Sequence, residues 1–379
     1  MELGALDSSR TQRTLTGTAR LLLALHLDGP LFVALCLLSA IGITVVFSAS
    51  GRSVPMLEAQ LLRFALAVAA MIMLAQIPPR LIRAATPWVY VLGLILLLVV
   101  MLTGDIAMGA QRWLDLGFVR FQPSEILKLA VPLACAWYLN DRVLPPSFTS
   151  VLIVGAAIVI PTAIIAEQPD LGTALLVAAG GGMVILLAGL SAKLIAGVVA
   201  LLIPTGYVAW QFLLHDYQRQ RVLTFLDPQT DPLGSGYHII QSQIAIGSGG
   251  VFGKGYLNGS QAQLEFLPER STDFIFAVVG EEWGLLGLVT VLTLYLFVIG
   301  RALYLSADSQ DTFSRLAAGS LALTFAVYVF VNAGMVTGLL PVVGVPLPLV
   351  SYGGTSMVTL MAGFGILMSL CTKRKLVGR

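Results

Sequence analysis

Ten windows of apolar sequence, each near the roughly 20 residues a helix needs to cross a bilayer, leave this chain one broad architecture. It is expected to be an all-α, polytopic integral membrane protein. The windows are residues 29–49, 56–77, 85–104, 124–140, 149–167, 172–190, 192–214, 273–300, 314–338 and 347–371. Composition agrees: 11% of the residues are charged, against about 25% in soluble proteins, and the mean hydropathy is +0.89. No large soluble domain is expected. The net charge of +2 says little about partners, and nucleic acid is not expected among them.

The windows divide the chain into a cytoplasmic N-terminal segment (1–28), one transmembrane domain (29–372) and a basic cytoplasmic tail (373–379). Leu21–Leu27 is too short and too poor in small residues for a cleavable signal, and residues 11–27 are expected to lie as a basic helix in the membrane interface. Placing both termini on one side puts thirteen Lys and Arg there against seven on the other. By the positive-inside rule the termini are cytoplasmic. The opposite, outer face then carries the unusual loops, 105–123 and 215–272, the second lying between spans seven and eight. A loop of that length is uncommon unless it is functional. Ile239–Ile246 within it has the pattern of a short amphipathic helix, and the glycines of 247–255 suit close backbone approach.

Charges inside spans are costly and face a cavity or a partner. Arg63 interrupts the second window. Glu125 and Lys128 interrupt the fourth, three residues apart on one helix face, where they can pair. Capping accounts for Glu125 after Gln122-Pro123-Ser124, but not for Lys128. Asp273 stands where the long polar loop meets the eighth span. After Ser271 and Thr272 it suits either a helix terminus or a general base whose proton affinity is raised by partial burial. On a helix begun at Asp273, Glu281 lies about 12 Å further along, turned by about 80°, and Glu282 is on the opposite face. Neither makes a tight carboxylate pair with Asp273, and helix–helix bonding is the simpler reading of both.

In the outer loops, Trp113 suits either an interfacial belt or stacking on a sugar, and Asp170 either a turn or the cap of the sixth span. Arg120, Arg219, Arg221, Lys254 and Arg270 are candidates for holding phosphate. Pro346–Ser356, which includes Ser351, carries prolines and paired glycines at membrane depth, a sign of irregular backbone lining a cavity. The three cysteines have no metal-ligand spacing and the three histidines form no cluster, so no protein metal site is expected.

Six motifs in order, GAQRWLDLG (109–117), RFQPSEILKLAVP (120–132), EQPDLGTALL (167–176), GYHIIQSQIAIGSGGVFGKG (236–255), LPERSTDFIFAVVGEEWG (267–284) and PLPLVSYGGTSM (346–357), resemble the SEDS family (shape, elongation, division and sporulation), and within it the RodA-like branch. The likeness runs from about residue 30 to 375. It implies a peptidoglycan glycosyltransferase of the bacterial inner membrane that polymerises lipid II for cell elongation, with its chamber facing the periplasm. It implies partners too: a class B penicillin-binding protein and other membrane proteins of the elongation complex. The family's essential aspartate falls on Asp273, and its cavity and substrate positions on Trp113, Arg120, Glu125, Lys128 and Asp170.

That chemistry is an inverting displacement of lipid pyrophosphate, with Asp273 as the base for the acceptor hydroxyl. Because pyrophosphate is a good leaving group, no second carboxylate is needed as acid, in contrast to glycoside hydrolysis. Basic loop residues or a divalent cation (Mg or Mn) would stabilise the leaving group. A lipid II flippase and a non-catalytic scaffold for a penicillin-binding protein are the competing classes.

Overall fold

A computed structural model describes residues 25–107, 110–115, 120–190, 196–197, 200, 204, 206–213, 216–227, 229, 234–267 and 269–371. Most of the expected N-terminal segment, about half of the seventh window and the 373–379 tail fall outside these residues. Twelve α-helices are described, besides a π-helical turn at Ala209–Leu213: α1 Gly29–Ala49, α2 Val54–Gln76, α3 Pro79–Thr103, α4 Pro123–Asn140, α5 Phe148–Glu167, α6 Leu171–Leu187, α7 Asp216–Leu226, α8 Ser235–Gly249, α9 Ser260–Gln263, α10 Ile275–Ala307, α11 Thr312–Thr337 and α12 Thr355–Cys371. Six of them (α1, α2, α3, α5, α10 and α11) are long and apolar enough to cross a membrane, and α6 and α12 are shorter apolar helices. The chain is a multi-pass membrane protein.

The 105–123 loop is not wholly irregular. It folds into a small antiparallel ribbon of β1 Asp105–Ala107, β2 Ala110–Asp115 and β3 Arg120–Phe121, in the order β1-β2-β3. Trp113 pairs with Asp105, and Arg120 with Asp115. Within the bundle, α11 is the central helix. It packs against α4, α6, α10 and α12, while α2 lies along α12 and α3 along α4. At the end of the bundle away from the ribbon, Arg301 donates both Nε (3.0 Å) and Nη2 (2.7 Å) to the Asp28 carboxylate. That bond ties the start of α1 to the end of α10.

Two expectations for the 215–284 region need correction. Asp273 is not in the first turn of the eighth span: α10 begins at Ile275, and Ser271–Phe274 is a turn. The helical spacing assigned from Asp273 to Glu281 therefore does not apply. The amphipathic helix at 239–246 is longer (α8), and it packs on α10 and α11 with Ile239, Ser242 and Ala245 buried.

The close approach foreseen for 247–255 has a definite purpose. Helix α10 breaks at Gly284 (φ 66°, ψ −159°), which removes the helical partners of nearby peptide groups. The 250–255 segment replaces them. Lys254 N donates to Glu281 O (2.9 Å), Gly255 N to Glu282 O (3.0 Å), Leu285 N to Gly250 O (2.9 Å) and Leu286 N to Val251 O (3.2 Å). Such proximity excludes side chains: a Cβ on Gly249 would lie 2.0 Å from Gly280 O, and one on Gly253 2.1 Å from Glu282 O. The obstacle is backbone and cannot swing away. Gly249→Ala is therefore expected to lower stability by about 1–3 kcal/mol. Gly247→Ala, in open space on the same helix, should be neutral or slightly favourable. Thermal unfolding of the two purified variants checks this, and equal melting temperatures would contradict the packing.

Candidate functional site

The turn that carries Asp273 is held from two sides through its backbone. Asn332, fully buried in α11, donates Nδ2 to Asp273 O (2.8 Å) and to Val345 O (2.7 Å). From the 346–354 segment, Ser351 Oγ donates to Thr272 O (2.5 Å) while accepting from Leu347 N (2.8 Å). Tyr352 N donates to Ser271 O (2.8 Å). Ser351, expected to face substrate, is buried and spends its hydroxyl on these anchors.

These bonds leave the Asp273 carboxylate uncommitted. It accepts no hydrogen bond from the described residues, and its Oδ2 faces Gly344, where a Cβ would sit 3.5 Å away. Burial pushes its pKa up to about 6; Glu269 pushes in the same direction, and Arg221 of α7 opposes both. Asp273 is thus no helix cap, and the cap residue Phe274 makes no side-chain bond.

A second cluster forms where α4, α6 and the ribbon meet. Lys128 Nζ donates to Glu125 Oε1 (2.7 Å), with both side chains buried, and lies 5.5 Å from the centre of the Tyr328 ring. Asp170 caps α6, accepting from Thr173 N (3.2 Å) on Oδ1. Its Oδ2 accepts from Gln122 Nε2 (3.0 Å) and faces Arg112 Nη1 (3.5 Å). Glu125 Oε2 and Arg112 Nε are buried with no hydrogen-bond partner, so the cluster keeps polar capacity unused. Trp113 is half-buried on β2. The side chain of Arg120 lies outside the description.

One stretch of backbone joins the two clusters. A Cβ on Gly172, two residues after Asp170, would fall 2.7 Å from Val343 O. The next residue, Gly344, is the one that faces Asp273. Below Glu125, an apolar cavity of about 400 Å³ runs between α3, α4 and α12 and the end of α2, lined by Ile82, Val89, Ile126, Leu133, Val358 and Ile366 among others.

Arg270, Lys254, Glu281 and Glu282 are bonded within the scaffold. Arg270 donates Nε to Ala49 O (2.6 Å) and Nη2 to Glu265 (2.9 Å). Lys254 donates to Glu281 Oε1 (2.7 Å). Glu281, with no exposed surface, also accepts from Ser260 Oγ (3.1 Å), Gln261 N (2.8 Å) and Ala262 N (3.2 Å). Glu282 accepts from Ser48 Oγ. Glu281 thus fastens the 250–263 segment to α10, and Glu282 ties α10 to α1. Sequence reasoning missed Asn332, Gln122 and Tyr328, and gave Arg112 no part. Asn332 had a signal, a lone amide inside the 314–338 window. Among the described residues, no three His, Cys, Asp or Glu side chains gather as metal ligands.

Comparison with known proteins gives this geometry a context. The family model for the cell cycle proteins FtsW, RodA and SpoVE matches residues 29–376. The peptidoglycan glycosyltransferase MrdB of Escherichia coli (strain K12) is 54% identical over 354 residues, 93% of this chain and 96% of that protein. A chain from a peptidoglycan synthase complex, described as coordinating polymerization and crosslinking, superposes with a TM-score of 0.80 at 33% identity. It covers 92% of this chain and 98% of its own. The rod shape determining protein RodA of Thermus thermophilus superposes with a TM-score of 0.69 at 28% identity, covering 92% and 97%.

Proposed function

This chain belongs to the FtsW, RodA and SpoVE family and is a peptidoglycan glycosyltransferase; from that premise we propose that it polymerises lipid II with Asp273 as general base. The observation that carries the assignment is a carboxylate fixed through its backbone, accepting no hydrogen bond among the described residues and with a pKa raised to about 6. A base of that strength is matched to neutral pH. It would take the proton from the acceptor sugar hydroxyl as the oxygen attacks the anomeric carbon of the donor. The bond to the lipid pyrophosphate breaks on the opposite face, and the linkage inverts to β-1,4.

Arg221, close enough to act on the Asp273 charge, would meet the departing pyrophosphate. A divalent cation, magnesium or manganese, would add to that stabilisation. The Glu125–Lys128 pair, with Glu125 Oε2 unused, and Asp170 would line the sugar and headgroup path, with Trp113 and Arg120 at its rim. The apolar cavity beneath Glu125 accepts a prenyl tail. The loop-rich end would face the periplasm of the inner membrane, with both termini cytoplasmic. A class B penicillin-binding protein is the crosslinking partner this reading calls for, among the membrane proteins of cell elongation.

The test is polymerisation of purified lipid II in detergent by this protein together with its cognate penicillin-binding protein. Glycan chains are expected. Detergent leaves nothing to transport across, so a flippase or scaffold would give none.

A further inference from the structure

Arg63 is a charge within a span that the reaction above does not use. It lies in α2 with its Cζ 4.3 Å from the centre of the Tyr352 ring. Its Nη1 is buried and has no hydrogen-bond partner, and no carboxylate pairs with it among the described residues. A cation held in a membrane helix without a counter-charge is costly. Stacking on a ring returns about 0.5–2 kcal/mol and engages only the face of the guanidinium. The edge, where the N–H fork lies, suits a phosphate in bidentate contact.

The surroundings keep that edge near the reaction. Three residues earlier on α2, the fully buried Gln60 donates Nε2 to Ser351 O (3.3 Å), and its Oε1 is also without a partner. The flank of Arg63 is bordered by Gly354, where a Cβ would sit 3.5 Å from Nε. The ring it stacks on belongs to Tyr352, whose amide bonds Ser271 (2.8 Å), two residues before Asp273.

We infer that Arg63 binds a phosphate of the lipid pyrophosphate through the unpaired edge of its Tyr352-stacked guanidinium. This rests on the function proposed above. A glycerophospholipid of the bilayer carries the same phosphate chemistry, so the test separates the two sources.

Binding of undecaprenyl pyrophosphate and of undecaprenol is measured on the full chain in detergent micelles, for wild type and Arg63→Gln. Wild type is expected to prefer the pyrophosphate. The variant should bind the pyrophosphate about 10- to 100-fold more weakly, the range for losing a charge-assisted contact, with undecaprenol binding unchanged. Equal pyrophosphate affinity in the two proteins would overturn the role of Arg63 and leave the polymerase reading standing. A wild type that does not distinguish the two lipids would overturn both. Should the variant fail to fold, phenylglyoxal modification of Arg63 in wild type, followed by mass spectrometry, decides the matter. Undecaprenyl pyrophosphate should protect Arg63, while undecaprenol and phosphatidylglycerol should not. No protection by the pyrophosphate, or equal protection by phosphatidylglycerol, would overturn the inference.

Discussion

Asp273→Asn should reduce lipid II polymerisation by about 10²- to 10⁴-fold, the range for losing a general base, and should leave the fold intact. The amide is nearly isosteric, and the bonds that fix this turn reach its backbone rather than the carboxylate. The pH dependence follows from the direction of the shift. Burial, with Glu269, raises the folded-state pKa from 3.8 to about 6, so the wild-type rate should fall as pH drops through about 6 and the base takes up its proton. Stability runs the other way. A carboxyl with a raised folded pKa contributes fully below its unfolded pKa and loses that contribution as pH rises through about 6. Above pH 6 the ionised aspartate is a burden that asparagine lacks. The variant should therefore melt no lower than wild type at pH 8. Polymerisation assays and melting curves at pH 5 and pH 8 test both halves. Full activity in the variant would remove Asp273 from the chemistry and point to Asp170 or Glu125.

Glu281→Ala is expected to lower stability by about 2–4 kcal/mol, because it leaves buried or half-buried donors without their acceptor at about 1–3 kcal/mol each. It takes the carboxylate from Lys254, which keeps its bond to Ser260 Oγ (2.7 Å), and the acceptor from Ser260 Oγ and from the amides of Gln261 and Ala262. Glu281→Gln keeps an acceptor oxygen and should fall between alanine and wild type. Lys254→Met leaves the buried Glu281 carboxylate without its counter-charge and should cost at least as much as Glu281→Gln. Melting temperatures of the three purified variants give the order. A Glu281→Ala protein within about 1 kcal/mol of wild type would mean that other groups hold the 250–263 segment.

The membrane architecture was legible because long apolar windows admit few other structures, and the windows at 29–49, 149–167 and 314–338 match α1, α5 and α11 within a few residues. Glu125 with Lys128 was also legible, since two charges one turn apart in an apolar helix have little choice but to pair. The true start of α10 was hidden. Ser271, Thr272 and Asp273 have the composition of a helix start, yet their backbone is claimed by Asn332 and by the 351–352 segment, both distant in sequence. Local propensity carries no information about such partners. The same holds for Lys254 and Arg270. Loop cations resemble phosphate ligands until the fold delivers a buried carboxylate or a carbonyl to meet them.

Four backbone hydrogen bonds between the 250–255 segment and the broken helix also act as a gauge of length. An added or deleted residue there would slide every one of those bonds out of register at once, as a frameshift does to a reading frame, and the glycines at 249, 253 and 284 would each meet a side chain where they now meet backbone. The spacing from Gly249 to Gly255 should be invariant in any working version of this enzyme.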